Sequence, residues 1–391
     1  MPETPRPAKN GSTVLLLLSA LTQDDAGRAA IDLARFLFRL GWHVLAAAPA
    51  GPATRDLLRT GAVHISLPLD QTGPLARLTN GRRLARIARH HGVDIVHAVD
   101  TGALAAGCVL AKRCGLPLVA SADPVEYEQV PPLLARADRV IATSSFAADQ
   151  AEAALPAGTT IRTVARGVDL GVFDPDAVNG RRLAALAERW HVEPDDRVLL
   201  VPCPIGEAGG QLLLLRALAR LERRDFLCLM VGDTDPDDGH VRQLQALLDT
   251  TGLALQVRLL GPCDDMPAAY RLADLVCLPA TDTSISGRAA IEAQAMGVPV
   301  VVTDVGALGE CVLPYSTGWL VGPDAPEELA EALALAFDQP RDVRDRVAER
   351  ARAFVERQLS AEQMGRRTLQ IYAELVPQAP TVPEGGAPAA A

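Results

Sequence analysis

Residues 279–301 read PATDTSISGRAAIEAQAMGVPVV; they follow the apolar run Leu275–Leu278 and end within a second run, Val298–Thr303. Both runs are short and continuous, which is typical of strands buried in a parallel sheet. The segment between them has small and polar residues first and a helical pattern afterwards. It predicts a strand–loop–helix–strand unit in which the loop Gly287–Ala290, small except for Arg288, opens the helix.

The same alternation of apolar runs and amphipathic stretches covers most of the 391 residues. It is interrupted once and then restarts, which predicts two separate cores. We therefore expect an α/β protein with two doubly wound Rossmann-like domains, 12–175 and 176–360, facing across a cleft that holds the ligand. A helix over 361–376 is expected to return to the first domain. The ends, 1–11 and 377–391, are expected to be disordered.

The charge pattern argues against a nucleic-acid-binding protein, because the chain has a formal net charge of −10 and only 4% aromatic residues. The charge is uneven, however. Residues 1–115 contain 14 Lys or Arg and 8 Asp or Glu, a net +6. Arg82, Arg86 and Arg89 share one face of a predicted helix. Two interpretations stay open for this face, an ordinary solvated surface and a contact with anionic membrane lipid.

The seven cysteines form no CxxC pair and no cluster with histidine, so we expect reduced core thiols and no metal site. The N-terminus does not resemble a signal peptide, and no apolar stretch reaches the ~18–20 residues that span a bilayer. These features predict a cytoplasmic protein that is at most peripheral at the inner face of the membrane.

Residues 279–301 resemble the nucleotide-sugar signature of the family 4 retaining glycosyltransferases, which have the GT-B fold. The resemblance continues upstream through Gly261–Tyr270 and Ala165–Phe173 and covers roughly residues 12–376. It is similar in detail to bacterial members that build lipopolysaccharide core and related envelope glycans. It implies transfer of a sugar with retention, from a nucleotide-sugar to an envelope glycan or lipid-linked acceptor. It implies no other cofactor and no metal.

The resemblance also implies a set of binding residues. The helix opening at Gly287 suits a diphosphate, because its backbone N–H groups and positive dipole end attract anions. Glu292 would accept hydrogen bonds from a ribose diol; the alternative interpretation is a solvated helix residue. For Arg288 a phosphate contact and a surface charge both stay open. The implied donor-binding residues are Glu292, Gly287, Arg288, Ala289, Ala290 and Gly210. The implied acceptor-side residues are Asp25, Asp123 and His97; for His97 a structural role at a strand end stays open. No catalytic residue is assigned.

Several family positions are substituted. The first glutamate of the signature is Ser284, with Asp282 as a displaced substitute. The arginine and lysine that neutralise the leaving diphosphate correspond to Pro204 and Gly209, and no lysine follows Lys112.

The acceptor side departs from the family pattern as well. The Gly-Gly loop after the first strand corresponds to residues 23–27, which include Asp24 and Asp25, and the His-Gly pair corresponds to Asp123-Pro124. Two hypotheses therefore stay open. The chain is either a glycosyltransferase of weak or lost activity, or a catalytically degenerate homologue (a pseudoenzyme) that acts as a binding or scaffold protein.

Overall fold

The structure is a computed structural model that describes residues 11–71, 73–123, 131–233 and 239–377. The ends for which disorder is predicted lie outside these residues, apart from Gly11 and Pro377. The chain divides into two compact units. One unit runs to Arg166 and is completed by the C-terminal segment from Ala361, and the other spans Gly167–Ser360.

The first unit is built on a seven-stranded parallel sheet of order β3-β2-β1-β4-β5-β6-β7. Its strands are β1 (Thr13–Leu17), β2 (His43–Ala48), β3 (Val63–Ser66), β4 (Ile95–Ala98), β5 (Leu118–Ala122), β6 (Arg139–Ala142) and β7 (Ile161–Thr163). The strand order reverses between β1 and β4, as in the doubly wound folds predicted from the sequence.

The second unit repeats this arrangement with a six-stranded parallel sheet of order β10-β9-β8-β11-β12-β13. Its strands are β8 (Val198–Pro202), β9 (Leu227–Val231), β10 (Val257–Leu260), β11 (Leu275–Leu278), β12 (Val300–Thr303) and β13 (Gly318–Val321). Here the order reverses between β8 and β11. Ligands of such sheets bind beyond the carboxyl ends of the strands at this reversal.

Helices connect the strands in both units. In chain order they are α1 (Asp25–Arg39), α2 (Thr54–Arg59), α3 (Pro74–His91), α4 (Thr101–Cys114), α5 (Pro131–Leu134), α6 (Ser145–Ala154), α7 (Gly180–Trp190), α8 (Gln211–Arg220), α9 (Gly239–Thr251), α10 (Met266–Leu272), α11 (Arg288–Ala295), α12 (Pro326–Phe337), α13 (Arg341–Phe354) and α14 (Ala361–Leu375). Single turns of other helix types lie at Pro175–Ala177, Glu207–Gly209, Gly309–Cys311 and Val355–Leu359.

The C-terminal helix α14 belongs to the first unit, where it packs against α1. Gly365 leaves no room for a β-carbon beside the ring of Phe36. Further along, the ring of Tyr372 lies 5.8 Å from that of Trp42, and both side chains are buried. An apolar face of α14 therefore completes the core of this unit.

The alternating apolar runs of the sequence correspond to every strand except β3, β7 and β13, and these three lie at sheet edges. An edge strand is covered on fewer sides and needs no continuous apolar run; in β3, for example, Val63 is 50% exposed. The division between the units also falls earlier than residue 175. Val168 pairs with Ser360 inside the second unit, so the first and last segments of that unit lie side by side.

Candidate functional site

The signature segment forms the loop after β11 and helix α11, as predicted. Gly287 precedes the first residue of α11 with a φ of −74°, which any residue can adopt. Its β-carbon would overlap the sulfur of Cys311. Glycine is therefore required here by packing against Cys311, and not by an unusual backbone conformation.

Glu292 lies one turn into α11 and is only 4% exposed. Its Oε1 lies 2.8 Å from Nε of Arg288, and its Oε2 accepts a hydrogen bond of 3.1 Å from the Tyr270 hydroxyl. Glu292 is therefore not a solvated helix residue. It is a buried carboxylate held by one donor of its own helix and one from α10.

Arg288, a predicted phosphate contact, is 9% exposed and is committed to Glu292. Of the two small residues that follow it, Ala290 is buried and Ala289 is half-buried. The carbonyl oxygens of Ala290 and Cys311 both accept hydrogen bonds from the Gln294 amide, at 3.1 and 2.7 Å. The first turns of α11 are thus fixed to the segment around Cys311.

The loop after β8, where the family carries its phosphate-binding cations, packs directly against the loop after β11. Gly210 has a φ of +68°, and its β-carbon would overlap the carbonyl oxygen of Pro279. Thr281 joins the two loops further, since its hydroxyl donates to the Glu207 carbonyl at 2.7 Å and its N–H to the Ala208 carbonyl at 3.0 Å. The structure therefore brings Gly210 to the same sheet edge as the signature loop.

Gln211 occupies the inside of the loop after β8, and it was not predicted as a site residue. Its amide nitrogen donates to the Pro204 carbonyl at 2.8 Å, and its amide oxygen accepts from the Gly206 N–H at 3.3 Å. The side chain is 0% exposed. A β-carbon on Gly209 would overlap the Pro204 carbonyl oxygen, so this position excludes every side chain. The only signal of this arrangement in the sequence was the position of Gln211, a polar residue between a Gly-Gly pair and an apolar helix.

The other substituted donor positions face solvent. Pro204 and Ser284 are both exposed. Asp282 is also exposed, and its carboxylate accepts a 2.8 Å hydrogen bond from the Ser284 N–H. Hydrogen bonds from Ser284 lower the pKa of Asp282. The Asp282 carboxylate therefore stabilises its own turn, and this local role explains why an aspartate is present at this position.

In the first unit, Arg166 links two of the predicted acceptor-side residues. Its guanidinium donates to the carbonyl oxygen of Asp25 at 3.0 Å and lies 2.8 Å from a carboxylate oxygen of Asp123. The other oxygen of Asp123 accepts from the Thr143 hydroxyl at 2.8 Å. Asp25 and Asp123 are therefore brought together through Arg166, and their role on the acceptor side stays a prediction. Pro124, which with Asp123 occupies the position of the family's His-Gly pair, lies outside the described residues.

Of the two interpretations left open for His97, the structure supports the structural role at a strand end. The residue is 3% exposed, and its ring nitrogens lie 2.7 Å from the Tyr372 hydroxyl and 2.8 Å from the Ser121 hydroxyl. Burial lowers the pKa of His97 to about 3, with the charge of Arg166 as a second cause. His97 is a neutral core residue that ties α14 to the sheet.

The predicted arginine helix is α3, in which Arg82, Arg83, Arg86 and Arg89 are all exposed. The last turn of α4, with exposed Lys112 and Arg113, packs beside it, and Arg89 donates to the carbonyl of Arg113 at 3.3 Å. Neither helix contains Asp or Glu. We call these six side chains the arginine face; it lies on two helices without a carboxylate of their own.

Among the described residues, no group of three or more His, Cys, Asp or Glu side chains is arranged to hold a metal ion. In the same part of the chain, no helix is both long enough and apolar enough to cross a membrane.

Comparison with known proteins identifies both units. The family described as Glycosyltransferase Family 4 matches residues 26–172, and the family described as Glycosyl transferases group 1 matches residues 187–354. D-inositol 3-phosphate glycosyltransferase 1 of Catenulispora acidiphila is 33% identical over 276 residues, or 67% of this chain and 62% of that protein. The chain thus spans less than two thirds of the length of this relative.

Solved structures agree on the fold. A glycosyltransferase from Rickettsia africae ESF-5 aligns with a TM-score of 0.85 and 25% identity, over 95% of this chain and 100% of that one. HepE of Anabaena in complex with UDP-glucose aligns with a TM-score of 0.77 and 22% identity, over 93% of this chain and 100% of that one. With its two matched domains and its GT-B fold, the chain belongs to the glycosyltransferases, as a Family 4 domain followed by a group 1 domain.

Proposed function

We propose that this chain transfers a sugar, with retention of configuration, from a nucleotide-sugar to an envelope glycan or lipid-linked acceptor. The donor binds the second unit at the carboxyl ends of β8 and β11, and the acceptor binds the first unit. The observation that carries the proposal is the Glu292 carboxylate, fixed in the first turns of α11 beside the glycine-rich β8 loop. The proposed reaction uses no resident metal and no cofactor besides the donor.

Different residues of the second unit bind different parts of the donor. The N-terminus of α11 offers backbone N–H groups and its dipole to the diphosphate, and Glu292 accepts from the ribose hydroxyls. HepE binds UDP-glucose with the same fold, which supports a nucleotide-sugar as the donor class. The relative from Catenulispora is named for inositol 3-phosphate, so an inositol phosphate belongs in any acceptor screen beside envelope glycans of the lipopolysaccharide-core kind.

The leaving diphosphate is poorly neutralised in this arrangement. Pro204 and Gly209 carry no charge, Gly209 has no room for a side chain, and Arg288 is paired with Glu292. Each preorganised donor or cation at a developing charge lowers the barrier by about 3–4 kcal/mol. The absence of two such groups predicts a rate lower by about 10⁴–10⁶. We therefore expect slow transfer.

The second candidate is a degenerate homologue that binds its ligands without turnover. The specific observation in its favour is Gln211, which fills the β8 loop with a neutral amide and bonds it internally. On the acceptor side, Arg166 is bound to Asp25 and Asp123. In both regions polar side chains bond to neighbouring protein groups, which suits a binding or scaffold protein.

We also propose peripheral contact with an anionic membrane through the arginine face, at the inner side of the cytoplasmic membrane. Basic side chains near an anionic surface contribute about 1 kcal/mol each. Leu75 and Leu78, which are 82% and 37% exposed at the start of α3, supply apolar contact beside it. Such a surface would place the protein near lipid-linked acceptors.

The test is a transfer assay with UDP-, GDP- and ADP-sugars against lipid-linked glycan, soluble envelope glycan and inositol phosphate, with the anomeric configuration of any product determined by NMR. The proposal predicts a retained product formed at well below about 1 s⁻¹. Binding of a nucleotide-sugar without any product would favour the degenerate homologue. An inverted product would overturn the proposed reaction.

A further inference from the structure

The Glu292 carboxylate is held from two directions by two buried side chains, Arg288 and Tyr270. Arg288 approaches Oε1 from the preceding turn of α11, and Tyr270 donates to Oε2 from α10, at 2.8 and 3.1 Å. Tyr270 is 0% exposed, and its ring packs against that of Phe173, 6.1 Å away. Because the two donors come from different helices, they fix the plane of the carboxylate.

We propose that Tyr270 and Arg288 are positioning residues that set the selectivity of this site for the ribose cis-diol. The inference deepens the proposed function and rests on it, since it takes Glu292 as the ribose-binding group. A carboxylate accepts up to about four hydrogen bonds, so two donors can orient Glu292 while it still accepts from a ligand hydroxyl. A carboxylate of fixed plane meets two neighbouring hydroxyls without losing side-chain freedom on binding.

Of the two positioning residues, Tyr270 gives the more informative variant, because its hydroxyl is neutral. Tyr270→Phe removes one hydrogen bond and leaves the ring in its place. Arg288→Gln instead leaves a buried carboxylate without its counter-ion, which destabilises the fold strongly. Tyr372→Phe is the matched control, because Tyr372 is also fully buried and its hydroxyl also bonds a core side chain, His97, in the other unit.

The experiment is calorimetric titration of the full chain with a nucleoside diphosphate and with its 2′,3′-dideoxy counterpart, using whichever base binds best. The measured quantity is the ratio of the two dissociation constants. The native chain is expected to prefer the ribose form by about tenfold or more, since two hydrogen bonds to a charged group are lost with the diol. Tyr270→Phe is expected to reduce that ratio to about threefold or less, mainly by weakening binding of the ribose form.

The control separates positioning from general stability. Tyr372→Phe should lower the melting temperature as much as Tyr270→Phe does and leave the ratio of dissociation constants unchanged. An unchanged ratio in Tyr270→Phe, with the native preference present, would overturn the positioning role and leave the proposed function intact. Failure of the native chain to bind any nucleotide, or equal binding of ribose and dideoxy forms, would overturn the ribose role of Glu292 and this inference together.

Discussion

Gly210 packs directly onto the carbonyl oxygen of Pro279, with a φ of +68° and no space for a β-carbon. The contact joins the loop after β8 to the loop after β11 at the strand-order reversal of the second sheet. Two loops from neighbouring strands are thereby locked at the edge where ligands of such sheets bind.

We predict that Gly210→Ala lowers the free energy of unfolding by about 2 kcal/mol or more, since the left-handed backbone alone costs about 1–2 kcal/mol and the overlap adds to it. Chemical denaturation measures the change. Gly206→Ala in the same loop is the control: nothing lies within 4 Å of its β-carbon position and its φ is 178°. Equal stability of the two variants would show that the Gly210–Pro279 contact is not tight.

Much of this edge was readable from the sequence. The apolar runs around residues 279–301 are doubly buried strands, and such strands have the pattern that sequence analysis detects best. The edge strands, such as β3, were missed because their exposed residues break that pattern. Gln211 was missed because its role depends on backbone oxygens that only the folded loop brings together. The structural role of His97 was one of two open interpretations, and its partner could not be predicted because Tyr372 lies 275 positions away in the chain.

A positive charge can be restored in the loop after β8 at position 204 but not at position 209. Because Pro204 is exposed, Pro204→Arg should fold normally and tighten binding of a nucleoside diphosphate about tenfold, through one charge-assisted hydrogen bond. Binding of the unphosphorylated nucleoside should not change. Pro156→Arg, the same change at an exposed proline of the first unit, serves as the control in the same titration. Equal effects of the two variants would argue against a diphosphate beside the β8 loop.

A lysine at position 209 should not restore nucleotide binding, because the loop has no room for its side chain. Gly209→Lys places a β-carbon against the Pro204 carbonyl and the Gln211 amide, so the loop must shift. We expect a loss of about 1–3 kcal/mol in the free energy of unfolding, the usual range for overpacking, and no gain in nucleotide affinity. A stable Gly209→Lys variant with tighter nucleotide binding would show that the loop adapts to the missing cation.

His97 makes the stability of the first unit depend on pH. Because the folded-state pKa is lowered from 6.5 to about 3, the unfolded chain binds the proton more readily between these values. The contribution of His97 is therefore fully present above pH 6.5 and is lost as the pH falls towards 3, at about 1.4 kcal/mol per pH unit. Subtracting the pH profile of a His97→Gln variant removes the contributions of other groups, such as Asp100. A flat difference between pH 4 and 6.5 would contradict the buried neutral imidazole.

The arginine face predicts a salt-dependent membrane contact. Co-sedimentation with vesicles should require anionic lipid and decrease as salt rises, because a Debye length near 10 Å at 0.1 M salt screens the attraction. Replacing Arg82, Arg86 and Arg89 by glutamine should abolish it. The control replaces three arginines of α13 by glutamine, a helix that also carries carboxylates. Equal binding to neutral and anionic vesicles would rule the contact out.

The most direct test of the central claim is calorimetric titration of the full chain with UDP, GDP and ADP. Glu292 and the N-terminus of α11 are in place, while two charged groups, each worth about 1.5–3 kcal/mol as hydrogen-bond donors, are absent. We predict that at least one of the three nucleotides binds with a Kd in the high micromolar range, about 100 µM to 1 mM. A nanomolar Kd would contradict the loss of the phosphate-binding cations, and no binding at millimolar concentration would contradict the donor site itself.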